Sequence, residues 1–91
     1  MLDIAKVLTI STSHIKKETA ALLDDKSWDG GISVFEKGEF GWWIYIPSYY
    51  SGENIPQDLN DCILLARKHG CEWLCLDRDA EELDFLKTYE W

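Results

Sequence analysis

The sequence lacks the features that mark several classes of protein. Its apolar runs are all shorter than the roughly 18 residues that a membrane-spanning helix needs. Its first residues include the acidic Asp3 and no basic stretch, which is not the pattern of a signal peptide. The 91 residues contain three cysteines, an odd number that favours reduced, buried thiols over a disulfide framework. Together these features predict a cytoplasmic protein.

Basic residues are few compared with acidic ones. Nine Lys and Arg stand against 17 Asp and Glu, which gives a formal net charge of −8. The last fifteen residues, Asp77 to Trp91, hold six acids and two bases, so half of the excess lies there. Non-specific binding to nucleic acid depends on Lys and Arg that neutralise phosphates. The charge therefore argues against direct nucleic-acid binding and favours a basic partner.

Motifs for catalysis, cofactor binding or phosphate binding are also lacking. His69, Cys71 and Cys75 have ligand chemistry, but two strand residues four positions apart have Cα atoms about 13 Å from each other. A zinc ion with bonds of about 2.0 to 2.3 Å cannot bridge that span. We interpret these cysteines as packing thiols. The sequence predicts no cofactor, no metal and no enzymatic activity.

Two further clusters of polar residues have a structural interpretation. The turn Asp77-Arg78-Asp79 resembles the start of a calcium loop, but Glu82 stands where glycine is needed and Thr88 where an acid is needed. We interpret it as a solvated acidic turn. His14 has neighbouring serines, but a single histidine in a capping segment is not a triad. A surface or capping role is predicted for it.

Hydrophobic periodicity predicts four strands and two helices. The predicted strands are Asp3 to Ser11, the two arms of a hairpin between Ile32 and Pro47, and Cys71 to Asp77; the predicted helices are His14 to Asp24 and Gln57 to His69. The order β-α-β-β-α-β indicates an α+β, ferredoxin-like (split βαβ) fold, with a four-stranded antiparallel sheet and both helices on one face. Residues 1–91 form one domain, in which residues 78–91 are an acidic C-terminal tail packed on or beside the sheet.

The two faces of this sheet differ in what they have to pack against. One face places Leu8, Ile10, Leu74, Leu76 and one row of the hairpin beneath the helices. The other face presents Val7, Thr9, Trp43, Tyr45, Trp73 and Cys75. Monomers seldom expose a contiguous apolar patch of more than a few hundred Å². The apolar residues of the tail, a second subunit and a partner remain alternative covers for this face.

Four segments of the chain carry a resemblance. They are LTISTSHI (residues 8–15), FEKGEFGWWIYIP (35–47), GCEWLCLDRD (70–79) and TYEW (88–91). With these segments the chain resembles a family of small uncharacterised proteins from bacterial mobile elements such as prophages and plasmids. The resemblance implies a cytosolic protein of mobile-element origin, and it brings no established activity or catalytic residues.

Two hypotheses for function follow from the charge and the aromatic residues. In the first, the protein is a non-enzymatic interaction protein, a nucleic-acid mimic that binds the basic surface of a host defence or nucleic-acid-processing protein. Its predicted partner-binding residues are Asp77, Asp79, Glu81, Glu82, Asp84, Trp43, Tyr45 and Trp73. In the second, the protein is a homodimeric structural or regulatory module whose aromatic sheet face is the dimer interface or a small-ligand pocket.

Overall fold

The computed structural model describes residues 2–91, which form an α+β fold with a four-stranded sheet and two α-helices. The elements are β1 (Val7–Ile10), a 3-10 turn (Thr12–His14), α1 (Lys17–Asp24), β2 (Ser33–Lys37), β3 (Gly41–Tyr45), α2 (Gln57–Lys68) and β4 (Trp73–Asp77). Neither helix within this range is long and apolar enough to cross a membrane. The first predicted helix is divided, because Ile15 has extended backbone angles (φ −124°, ψ 156°) between the 3-10 turn and α1.

The sheet is mixed, with the strand order β1-β4-β3-β2. β3 is antiparallel to both of its neighbours, whereas β1 and β4 are parallel, with Val7 opposite Trp73 and Ile10 opposite Leu76. The prediction of a purely antiparallel sheet was therefore wrong, and the observed order does not confirm a ferredoxin-like arrangement. β4 lies between β3 and β1; it runs antiparallel to β3 and in the same direction as β1. Parallel strands need a long connection, and the chain between β1 and β4, which contains both helices and the hairpin, provides it.

The predicted hairpin is present, with its turn slightly later in the chain. Phe40 donates its backbone N–H to the carbonyl oxygen of Lys37 at 3.0 Å, and Gly38 has a positive φ of 54°. Glycine adopts this region without the steric penalty that other residues carry. The turn sets the register of the two arms, so that Phe35 lies opposite Trp43.

The core lies between one face of the sheet and the helices, as predicted. The predicted stripe of α2 is buried, and so are the sheet residues predicted to lie beneath it except Leu8, which is partly buried. The buried residues of these two sets are Leu59, Cys62, Ile63 and Ala66 from α2, and Ile10, Leu74 and Leu76 from the sheet. Trp42 and Ile44 form the hairpin row of this core. At the end of α2, Gly70 takes a left-handed φ of 73°, which confirms the predicted glycine cap.

A buried carboxylate joins the two helices. Asp58, in the first turn of α2, accepts the backbone N–H of Lys16 at 2.7 Å and the hydroxyl of Thr19 at 2.7 and 2.9 Å. Lys16 is the N-cap residue of α1 and has no capping hydrogen bond from its own side chain. Asp58 therefore caps α1 from a distance of 42 residues along the chain.

Candidate protein-binding site

The outer face of the sheet carries an ordered grid of side chains. Strand alternation and the observed register place them in rows across the four strands. The rows are Val7, Trp73, Tyr45 and Ser33; then Thr9, Cys75, Trp43 and Phe35; then Asp77, Gly41 and Lys37. We call the cluster of Val7, Phe35, Trp43, Tyr45 and Trp73 the aromatic face. It contains the three aromatic residues that the sequence analysis assigned to partner binding.

Trp73 lies at the centre of the aromatic face. Its ring centroid is 5.2 Å from that of Tyr45, 5.9 Å from Phe35 and 6.5 Å from Trp43. The rings of Tyr45 and Trp43 meet it edge to face, the geometry that aromatic quadrupoles favour. The four aromatic side chains therefore support one another in this arrangement.

The aromatic face is exposed despite this mutual packing. Phe35 is 53% exposed, Tyr45 41% and Val7 40%. A shallow hollow of about 340 Å³ lies over it, lined by the apolar side chains Ala5, Val7, Phe35, Trp43 and Trp73. Cys75 lies in the middle of the same face but is only 1% exposed, and burial raises the pKa of its thiol. The face is suited to contact with apolar or aromatic groups.

An ion pair closes one end of the aromatic face. The ammonium group of Lys37, on β2, contacts the carboxylate of Asp77, on β4, above Gly41 of the intervening strand β3. Lys37 Nζ also lies 5.4 Å from the ring centroid of Trp43. The hydrogen bond from Lys37 and a second one from the backbone N–H of Asp79 lower the pKa of Asp77. The Asp77 carboxylate therefore already has two hydrogen-bond partners within the chain.

The remaining predicted acids lie beyond this ion pair. Asp79, Glu81, Glu82 and Asp84 are exposed, and Glu82 accepts a hydrogen bond from the hydroxyl of Ser13 at 2.6 Å. They follow the end of β4, whereas Trp73 lies at its start, a separation of about 13 Å between Asp77 and Trp73 along the strand. Of the five predicted acids, only Asp77 therefore shares a strand with Trp73, and the other four lie in the tail past the end of β4.

The C-terminal tail packs beside the 3-10 turn and leaves the aromatic face uncovered. Its backbone and its last side chain bond to residues 11–15: Ser11 N–H donates to Glu81 O (3.2 Å), Tyr89 N–H to Ser13 O (2.8 Å) and Trp91 Nε1–H to Ile15 O (3.0 Å). Leu83 and Leu86 pack against the core. No tail residue lines the hollow over the aromatic face. The tail, one of the three segments or partners that could have covered the aromatic face, therefore packs at a different place in this structure.

His14 makes two further contacts with the tail, and its buried position differs from the predicted surface or capping role. It is 2% exposed, its Nδ1 lies 2.9 Å from the carbonyl oxygen of Lys87, and its Nε2 lies 2.9 Å from the backbone nitrogen of Leu83. Because the Leu83 N–H can only donate, Nε2 is the acceptor and Nδ1 carries the hydrogen. A neutral imidazole with this tautomer satisfies both tail groups.

The three cysteines are free and buried. Cys62 packs on α2, and burial raises the pKa of its thiol to about 12, so it stays protonated at neutral pH. Cys71 and Cys75 belong to different environments, the first in the core and the second on the aromatic face. Across residues 2–91, His, Cys, Asp and Glu do not form a group of three that could hold a metal ion.

Phe35 is the residue of the aromatic face that the sequence analysis missed. Its ring contacts Trp73 and its neighbour across the hairpin is Trp43. Alternation alone assigns either face to the first arm, because the register depends on which residue begins the turn. A turn placed at Gly38 to Phe40 would have paired Phe35 with Trp43 and so predicted that Phe35 lies on the outer face.

Comparison with known proteins places the chain in a family. Residues 7–91 match the model described as "Family of unknown function (DUF5983) C-terminal domain". The chain belongs to this family. The match begins at the first residue of β1 and includes the aromatic face and the whole tail. No curated protein and no solved structure matches the chain. Membership in the DUF5983 family thus assigns an uncharacterised domain and brings no activity with it.

Proposed function

We propose that this member of the DUF5983 family is a non-enzymatic interaction protein that binds the basic surface of another protein. The observation that carries the proposal is the aromatic face, which presents half-exposed rings on the solvent side of the sheet. Aromatic side chains dominate the energetics of protein interfaces because they bury a large area with few rotatable bonds. Exposed apolar patches of this kind mark interaction sites on soluble domains.

The acidic segment supplies the charge of the proposed site. The exposed acids Asp79, Glu81, Glu82 and Asp84 lie beyond one end of the aromatic face, and the chain as a whole carries −8. Acids at the rim of a contact attract a basic partner and raise the rate of association, while the apolar centre determines how long the complex lasts. The net charge also opposes direct contact with phosphates.

The charge of the chain also suggests which kind of partner it binds. We propose a nucleic-acid-binding protein of a bacterial host, such as a defence or nucleic-acid-processing component, because its basic surface already accepts a polyanion. The chain would then act as a nucleic-acid mimic in the cytoplasm, an anti-restriction or anti-CRISPR type inhibitor of mobile-element origin. The charge of −8 and the six acids among the last fifteen residues support this choice.

The experiment that tests this proposal combines capture with competition. The immobilised chain is exposed to a bacterial lysate at low and at high salt, bound proteins are identified, and DNA is added as a competitor. We expect a basic nucleic-acid-binding protein that is released both by salt and by DNA. Phe35→Ser together with Tyr45→Ser should abolish capture. Tyr49→Ser is the matched control, since Tyr49 is an exposed tyrosine (84%) in a loop outside the aromatic face.

Two results would contradict the proposal. The first is a captured protein that the doubly substituted aromatic face still retains. The second is a captured protein that DNA does not displace, because a mimic and the nucleic acid compete for one surface.

Replacing Asp79, Glu81, Glu82 and Asp84 with their amides should slow association several-fold and flatten its salt dependence, because rim charges act mainly on the on-rate.

A homodimer or a small-ligand site is the second candidate, and the hollow over the aromatic face favours it. Its volume of about 340 Å³ lies near the lower end of the range for ligand pockets, about 300 to 1,000 Å³. Sedimentation equilibrium separates a dimer from a monomer directly. A dimer that Tyr45→Ser dissociates would assign the aromatic face to self-association and would leave the acids without a role in it.

A further inference from the structure

A groove lies beside β2, one of the two edge strands of the sheet. β2 is the last strand in the order β1-β4-β3-β2, so only one of its edges is paired, and every second residue directs its backbone N–H and C=O away from β3. A groove of about 510 Å³ runs along this free edge. It is bordered by the end of α1 and the loop after it, with Asp25, Lys26, Trp28, Ile32, Val34 and Glu36 among its walls.

The usual protection of an edge strand is weak at β2. Natural edges are shielded by charged side chains, by proline, by bulges or by a covering segment. Ser33, Val34 and Phe35 are uncharged, and the one lysine of the strand, Lys37, turns inward across Gly41 to Asp77. Glu36 is the remaining charged residue of the strand, and it is exposed. At the opposite edge, the tail lies beside the end of β1, where the next residue, Ser11, donates its N–H to Glu81.

The walls of the groove combine apolar surface with negative charge. Trp28, Ile32 and Val34 are partly buried and pack against the core, so their remaining surface faces the groove. Asp25 and Glu36 are exposed at its rim, and hydrogen bonds from the hydroxyl and the backbone N–H of Ser27 lower the pKa of Asp25. The single lysine at the rim, Lys26, lies 3.9 Å from Glu36 with both side chains largely in solvent. Such a pair exchanges partners at little cost.

We infer that the free edge of β2 binds an extended segment of a partner protein in which basic and apolar residues alternate. The segment adds a fifth strand to the sheet through backbone hydrogen bonds, and its alternate side chains provide the selectivity. One row of side chains lies over the groove, where lysine or arginine stems cover Val34 and their charged ends reach Asp25 and Glu36. The other row lies on the outer face beside Phe35 and extends the aromatic face. The inference goes beyond the proposed function, because it names a separate contact and the conformation of what binds there.

The probe for this site is an eight-residue peptide of alternating lysine and valine, titrated against the full chain at low salt. We expect saturable binding together with slower amide hydrogen exchange in β2. An alternating glutamate and valine peptide is the charge control and should not bind. Replacing Asp25 with Asn and Glu36 with Gln should weaken binding about tenfold, a loss equivalent to about 1.4 kcal/mol. Glu53→Gln with Asp61→Asn, which removes two exposed acids outside the groove, should leave the affinity unchanged.

Two N-methylated peptides test the strand geometry itself. One carries methyl groups on the backbone nitrogens of all lysines, and the other on those of all valines. In an added strand only every second residue faces β2, so one of the two should lose binding at least about tenfold and the other should keep it. Equal effects of both methylation patterns would overturn the inference. It would also be overturned by protection of β1 in place of β2, by absence of binding, or by a chain dimer that pairs β2 with β2.

Discussion

Lys37 and Asp77 form an ion pair across a strand that contributes no side chain at the crossing point. The residue between them in the sheet is Gly41, which is opposite Lys37 on one side and opposite Asp77 on the other. A Cβ atom at Gly41 would lie 1.7 Å from the carbonyl oxygen of Leu76, well inside contact distance. Gly41 therefore allows both the close approach of β3 to β4 and the passage of the lysine side chain over the sheet.

Gly41→Ala should be the most damaging alanine substitution of a glycine in this chain. The clash is with backbone, so β3 and β4 have to separate, and we expect a loss of unfolding free energy of about 3 kcal/mol or more. Gly31→Ala is the matched control, because Gly31 also has a positive φ (78°) but a Cβ atom added there would have no neighbour within 4 Å. It should cost about 1 kcal/mol. Urea denaturation measures both, and equal losses would contradict the close approach.

The Lys37–Asp77 pair should make stability depend on pH at both ends of the range. The hydrogen bond from Lys37 lowers the pKa of Asp77 below 3.8, so its contribution is present above that value and is lost as the pH falls through the folded-state pKa. The same bond raises the pKa of Lys37 above 10.5, so that contribution is present below 10.5 and is lost as the pH rises further.

Asp77→Asn tests this dependence. The difference in unfolding free energy between the wild-type chain and Asp77→Asn should be constant from about pH 5 to about pH 9 and should shrink below and above that window. Asp84→Asn, which removes one exposed acid of the tail, is the control for the loss of a single negative charge. A difference that grows as the pH falls below 3.8 would show that the sign of the Asp77 shift is wrong.

His14→Ala should loosen the attachment of the tail. The substitution removes the acceptor of the Leu83 N–H and the donor to the Lys87 carbonyl, and it leaves a cavity in a buried position. We expect a loss of about 2 to 4 kcal/mol and faster amide exchange at Leu83 and Tyr89. Ser13→Ala removes only the more exposed bond to Glu82 and should cost less than about 1 kcal/mol. Unchanged exchange at Leu83 in the His14 variant would contradict this role.

Asp58→Ala should weaken the junction between the two helices. It leaves the backbone N–H of Lys16 and the hydroxyl of Thr19 without their carboxylate partner, and bonds to charged groups contribute about 1.5 to 3 kcal/mol each. We expect a loss of about 2 to 4 kcal/mol by thermal or urea denaturation. Asp61→Ala, an exposed acid on the same helix, should cost less than about 1 kcal/mol. A similar loss for both variants would mean that Asp58 acts through helix propensity alone.

The local pattern of the sequence was sufficient to identify the faces of the elements. Alternation assigned Trp43, Tyr45, Trp73 and Cys75 to the outer face, and the helical period assigned Leu59, Cys62, Ile63 and Ala66 to the core, as the structure shows. These assignments depend only on the direction in which successive side chains project, a property of the backbone within one element. Gly70 as a cap followed in the same way from its preference for positive φ.

The tertiary structure alone decided what the elements meet. The parallel pairing of β1 with β4, the register that brings Phe35 to Trp73, and the bonds from His14 to Leu83 and Lys87 join residues up to 73 positions apart. Several of these contacts are made by backbone N–H and C=O groups, which are chemically the same at nearly every residue and so leave no mark in the sequence. The sequence by itself therefore determined which surfaces exist, whereas the position of the tail, the uncovered aromatic face and the free edge of β2 depend on long-range pairing that residue types do not encode locally.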